Sequence, residues 1–208
     1  MSTLLIIGAG GHGKVVADAA LATGLWNDIV FLDDAWPDKQ TNGPWAIHGK
    51  VDQLTDWKGL CTHAVVAIGN NHLRMALQSK LIATGFVIAT IIHPSAQVSR
   101  FAKLGAGCVV FANAVVNVDA QVGDAAIINT AATIDHDCRL GKGVHVAPGA
   151  NIGGGVIVGD FSWIGIGASI RHYSQIGADV TVGAGAAVIS DILDGVTAVG
   201  CPARPINE

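Results

Sequence analysis

From Ile92 to Val188, every sixth residue is Ile, Val or Leu. The series runs Ile92, Val98, Leu104 and Val110 and continues unbroken to Val182 and Val188. Two residues before each member, from Ala96 to Ala186, stands Ala, Cys, Ser or Val. A period of six cannot be an α-helix, whose faces recur every 3.6 residues. It suits one short strand plus one turn, repeated. Three such hexads make a triangular coil of about 18 residues, in which each large inward residue stacks on its counterpart in the next coil. The coils then rise by one strand spacing, ~4.8 Å. The 17 hexads therefore predict between five and six coils, with the small residues relieving the corners.

The front of the chain follows a different pattern. "LLIIGAG", "DIVFLDD", "HAVVAIGNN" and "FVIATIIH" read as short buried strands, and "GKVVADAALATG" and "HLRMALQSKLIATG" as helices. Strands alternating with helices imply a small parallel sheet with crossover helices. The stretch "AWPDKQTNGPWAIHGKVDQLTDW" reads as a loop carrying a short strand or helix. The expected organisation is an α/β Rossmann-like domain over residues 1–90, an all-β coil domain over 91–190 and a C-terminal tail over 191–208.

Charged residues make up only 13% of the chain and hydrophobic ones 50%, so a packed core is expected and disorder is excluded. A net charge of −4 offers no basic footprint for nucleic acid. No apolar run approaches the ~20 residues that a membrane-spanning helix needs. "MSTLLIIGAGGHG" breaks into glycines before a secretory core could form, and the four cysteines are scattered. A cytoplasmic protein without disulfides is expected.

Within the repeat, "NTAATIDHDC" sets His136 between Asp135 and Asp137. Ile134 and Cys138 fill the inward positions, so His136 should point outward at a corner. Imidazole titrates near neutrality, and a carboxylate on one ring nitrogen fixes its tautomer and raises its basicity. His136 with Asp137 is therefore a candidate general base and its partner. Residue 154, one coil further on, is a glycine, which leaves room beside the imidazole. His172, two coils on, would be about 10 Å away, too far to form a catalytic pair.

The hexads resemble those of the hexapeptide-repeat acyltransferases, and "VGCPARPI" is similar to the tail that follows their repeat. "GAGGHG", "FLDD", "AIGNN" with Arg74, and "NTAATIDHDC" resemble, in order and spacing, one branch of that superfamily. This branch holds bacterial UDP-4-amino-sugar N-acetyltransferases and related sialic acid O-acetyltransferases. The resemblance implies a left-handed parallel β-helix, a homotrimer, and direct transfer from acetyl-CoA with His136 as base. It places His145, Gly154, Ile166 and Ala184 on the acetyl-CoA, and Asn129 and Asp135 on the acceptor side. Where the branch often has Glu after the histidine, this chain has Asp137, one methylene shorter, so a longer or water-bridged contact is expected.

"GAGGHG" also fits the dinucleotide fingerprint through Gly8, Gly10 and Gly13, with Asp33 at the distance of a ribose-binding acid. An NAD-binding redox or sensor module is the rival reading. Against it stand the missing second mononucleotide half and His12, which intrudes where a pyrophosphate would press. Backbone N–H groups at a helix start serve a UDP-sugar equally well. The resemblance implies that role for Gly10, Gly11, His12, Asp33, Asp34 and Gly69. No metal is expected: a zinc site of this shape needs a close histidine pair plus a third histidine from a neighbouring coil or subunit, and His136 and His145 are nine residues apart with no His-x4-His companion. The exact sugar, and the choice between amine and hydroxyl, are not legible in these residues.

Overall fold

In the computed structural model, which describes residues 2–206, the run Leu4–Ile7 is wholly buried. It forms most of β1 (Thr3–Ile7), which pairs in parallel with β2 (Asp28–Leu32) and β5 (His63–Val66). An unbroken aliphatic run is what a central parallel strand needs, because both of its faces are covered. Outside these three lie β4 (Trp45–Gly49) with β3 (Thr41–Asn42), and β6 (Val87–Ile88), giving the order β3-β4-β2-β1-β5-β6. Only the β3–β4 hairpin is antiparallel.

Two helices cross over this sheet. Helix α1 (Gly11–Ala22) starts at Gly10 with no side-chain cap. Helix α2 (Asn71–Thr84) is capped by Asn70, which accepts the Leu73 N–H at 2.9 Å, and ends at Gly85 with φ +90°. The segment expected to hold a strand or a helix holds both. The β3–β4 hairpin turns through Gly43 and is followed by a 3₁₀ helix at Val51–Trp57.

The expected single strand "FVIATIIH" is two pieces, β6 and Ile91–Ile92. Ile91 is fully buried and its strand packs on α1, whereas Ile92 is 37% exposed. The first member of the six-residue series thus lies in the end strand of its sheet, beside Val109–Val110, and is less covered than the members that follow. The chain divides into two compact units between Pro94 and Ser95.

The second unit is a left-handed parallel β-helix. Its strands are two residues long and each pairs with the strand 18 residues on, as in Val116↔Ile134, Ile134↔Ile152 and Ile152↔Ile170. Three parallel sheets result, one on each side of the triangular coil. Aliphatic residues from Val110 to Val188 alternate with the small residues in one continuous core, with Val98 and Leu104 partly buried at its start. The small slots also answer backbone groups: Cys138 Sγ donates to the Gly153 carbonyl and Ser162 Oγ to that of Gly177.

Every sixth residue also takes a left-handed backbone, among them Asn113, Asp119, Ala131, Asp137, Gly155 and Tyr173, with φ between +55° and +68°. At these corners the N–H reaches the coil before: Asp137 N–H donates to Val118 O, and Gly155 N–H to His136 O. Gly123 and Gly141 meet a different constraint. A Cβ on either would lie within 3 Å of the next coil's backbone.

Residues set apart as a tail extend the stack. Ile192 bridges Ile176, and Thr197–Val199 adds a parallel strand on Thr181–Val182, 16 residues on from Thr181 where earlier coils use 18. Arg204–Ile206 then folds back antiparallel. Asn207 and Glu208, the end of that expected tail, lie outside the described residues.

Ile164→Ala empties a fully buried place in the stack and should cost about 2–5 kcal/mol. Ile157→Ala removes an outward side chain that is 44% exposed and should cost about 1 kcal/mol or less. Urea unfolding monitored by circular dichroism checks both; equal losses would contradict the inward–outward assignment.

Candidate active site

The strand Thr133–Ile134 ends at a corner made by Asp135, His136 and Asp137. Ile134 and Cys138 are fully buried, so the residues between them turn outward. Asp135 is held in place: its Oδ1 accepts the Asn117 amide at 2.9 Å and the His136 N–H at 2.8 Å. Those two bonds hold its carboxyl below the usual range. Asp137 does the orienting. Its left-handed backbone swings the carboxylate back, and Oδ2 meets His136 Nδ1 at 2.8 Å. The contact is direct, not the longer or bridged one expected from the short side chain.

A carboxylate can only accept, so the hydrogen sits on Nδ1 and the Nε2 lone pair is left outward. The Asp137 bond first, and the Asp135 charge second, raise the imidazole above its ordinary 6.5. The ring is half exposed. Gly154 lies one coil on, and a Cβ there would stand 2.6 Å from Nε2. Gly154 is absent from the left-handed set, so its lack of a side chain serves the space beside Nε2 and not a turn.

The other residues marked in the sequence gather at a different corner. His145 is buried in the sheet that holds Ile127 and Trp163, with its ring centroid 3.9 Å from that of Trp163. Asn129 Nδ2 lies 3.3 Å from His145 Nε2. Ile166 and Ala184 are exposed and sit in register one coil apart, joined by the Gly185 N–H to Ile166 O bond. Thus His136, Asp137, Asp135 and Gly154 come together, Asn129 pairs with His145, and the strand Thr133–Ile134 separates the two groups.

In the front unit the loop Gly8–Gly13 joins β1 to α1. A Cβ on Gly8 would lie 2.8 Å from Ala67 O, and one on Gly13 would strike the Gly8 carbonyl. Gly10 and Gly11 have open space beside them. Asp33 ties the loop to β2: Oδ2 accepts the Ala9 N–H at 2.6 Å and Oδ1 the Ala35 N–H at 2.9 Å. Asp34 accepts the Val51 N–H at 3.0 Å. Arg74 is 1% exposed, and its guanidinium holds the Ile68 and Gly69 carbonyls. Burial and that nearby cation push His12 down to about 4, so it is neutral at pH 7.

Three side chains at these places escaped the sequence reading: Asn117, Lys39 and Asn42. Lys39 Nζ donates to Ala9 O, and Asn42 Nδ2 to Gly10 O at 3.2 Å. The Asn-Gly pair before Pro44 signals a hairpin, but nothing local says that the hairpin returns to the glycine loop.

Residues 3–81 match the PglD N-terminal domain. Over 114 residues the chain is 38% identical to UDP-N-acetylbacillosamine N-acetyltransferase of Bacillus subtilis (strain 168), a match of 54% of this chain and 52% of that one. The chain thus spans about half the length of that curated relative. The acetyltransferase domain of PglB from Neisseria gonorrhoeae FA1090, solved with acetyl coenzyme A, is 43% identical at a TM-score of 0.94, covering 98% of each chain. The chain belongs to the PglD-like hexapeptide-repeat acetyltransferases. A perosamine N-acetyltransferase of Caulobacter crescentus, solved with CoA and GDP-perosamine, has a TM-score of 0.96 at 38% identity, covering 100% of this chain and 98% of that one. In this PglD-like chain the acid beside the corner histidine is Asp137, on a left-handed backbone.

Because the Asp137 bond leads the causes that raise His136, Asp137→Asn should lower the imidazole pKa more than Asp135→Asn does. NMR titration of the His136 ring protons measures this. An unchanged titration in Asp137→Asn would refute the orienting role.

Proposed function

We propose that this chain transfers the acetyl group of acetyl-CoA to the 4-amino group of a UDP-linked amino sugar of the bacillosamine type, in the cytoplasm, for glycan assembly. The observation that carries this is the corner itself: Nδ1 held by Asp137 at 2.8 Å, with the Gly154 backbone beside Nε2. His136 Nε2 takes a proton from the amine as the amine nitrogen bonds to the thioester carbon. The C–S bond then breaks, and the imidazolium returns the proton to the leaving thiolate. No covalent enzyme intermediate is needed. Cys138 faces the core, and burial first among several influences raises its thiol pKa, so it is no nucleophile.

The front unit takes the nucleotide diphosphate on Gly10, Gly11, His12 and Gly69, with Asp33 and Asp34 shaping the loop. Asn129 and Asp135 face the acceptor side, and His145, Gly154, Ile166 and Ala184 the acyl donor. The last two sit one corner away from His136, and a donor lying in a cleft between two copies of the chain would reach both groups. A closed homotrimer supplies such a cleft. Sedimentation equilibrium should give three times the chain mass at micromolar concentration, and a monomer would contradict the shared site.

The GDP-perosamine bound to the Caulobacter relative favours a second reading, a GDP-linked 4-amino sugar as acceptor. Thiol release from acetyl-CoA, run with UDP- and GDP-linked 4-amino sugars, a sialic acid and an NAD control, separates these. Turnover with the sialic acid hydroxyl alone would overturn the amine reading. With the preferred acceptor, His136→Ala should lose ~10²- to 10⁴-fold in turnover. Asp137→Asn should lose part of that, and the double variant should match His136→Ala, since the two act as a unit. The base must be neutral, so the rate falls as pH drops through the raised His136 value. Asp137→Asn should move that acid limb to lower pH. Additive losses would separate the two residues.

A further inference from the structure

Lys39 and Asn42 converge on the glycine loop from the hairpin side. Lys39 Nζ donates to the Ala9 carbonyl, and Asn42 Nδ2 donates to the Gly10 carbonyl at 3.2 Å. Two consecutive carbonyls are thereby drawn toward the hairpin, at the point where α1 opens without a side-chain cap. Asn42 is 1% exposed, and its Oδ1 has no hydrogen-bond partner among the described residues. A buried acceptor left unsatisfied works against stability. The amide is therefore kept for its bond to the loop, not for the hairpin's own economy of hydrogen bonds.

Lys39 is exposed along its length, and its ammonium rests on a neutral carbonyl among the described residues. The nearest loop acid, Asp33, has each oxygen engaged by a backbone N–H. His12 brings no charge at neutral pH, and the Arg74 guanidinium is turned onto the Ile68 and Gly69 carbonyls and the Asn71 side chain. Of the exposed cations here, Lys14 lies in α1 with its side chain beside Gly43, whereas the Lys39 ammonium is the one that rests directly on a loop carbonyl.

We propose that Lys39 is a binding residue for the diphosphate of the nucleotide-sugar acceptor, moving its ammonium from Ala9 O to a phosphate oxygen. Asn42 keeps the Gly10 carbonyl turned away from the same anion. The inference rests on the nucleotide-sugar reading above. It assigns the charge neutralisation that the helix start supplies only in part to a side chain outside the glycine motif.

The test is calorimetric titration of the full chain with UDP and uridine, and with GDP and guanosine in parallel. Lys39→Met should weaken the diphosphate on the order of 10- to 100-fold, the usual worth of a charge-assisted hydrogen bond, and leave the nucleoside within about twofold. Its response to added salt should flatten, and Lys39→Arg should recover much of the affinity. Equal diphosphate affinity in wild type and Lys39→Met overturns the proposal. So does an equal loss for nucleoside and diphosphate, which makes Lys39 a prop for the loop. Failure of the wild-type chain to bind either diphosphate sinks the nucleotide-sugar reading itself and this inference with it.

Discussion

The second unit depends on one constraint: residue i lies over residue i+18, one strand spacing away. Paired strands such as Ile134↔Ile152 hold that register through backbone hydrogen bonds from coil to coil. Only two residues per side lie in strand, so the inward stack of aliphatic and small residues carries the packing. Everything chemical at the His136 corner follows from it. Gly154 sits beside the imidazole because it is 18 residues further on, and a side chain there would occupy the space next to Nε2.

The same corner shows how a rigid scaffold sorts two aspartates that are chemically identical. Asp135 spends an oxygen on two N–H donors and so becomes part of the framework. Asp137 occupies the left-handed place that recurs every six residues, which turns its carboxylate toward the ring. A residue held in that conformation costs about 1–2 kcal/mol when it is not glycine, and the coil-to-coil bond from its N–H to Val118 O helps to hold it. Strain shared by the whole repeat is here used to aim a functional group.

The front unit applies a different solution to a related problem. Gly8 and Gly13 let helix and strand close together, while the open sides of Gly10 and Gly11 leave the helix start accessible. Side chains from just after β2 and from the hairpin then take the loop's own polar groups, Asp33 the Ala9 N–H and Asn42 the Gly10 carbonyl, while Arg74 of α2 holds the Ile68 and Gly69 carbonyls of the loop after β5.

The period of six determined by itself that this chain coils, which residues face inward from Val110 onward, and that His136 points out. Periodicity is a local property, read without knowing what lies beside what. The alternating front pattern and the glycine spacing likewise announced an α/β unit with a loop at the start of α1. What only the tertiary structure decided was every relation between distant stretches. It left Ile92 part-exposed in the end strand while Ile91 is buried, and it drew residues beyond 190 into the stack. It chose Asp137 over Asp135, since a backbone angle and not a residue type sets which carboxylate reaches the ring. And it brought Lys39 and Asn42 back onto the glycine loop, a contact between segments about thirty residues apart that no local pattern encodes, because the hairpin's path over β2 places them there.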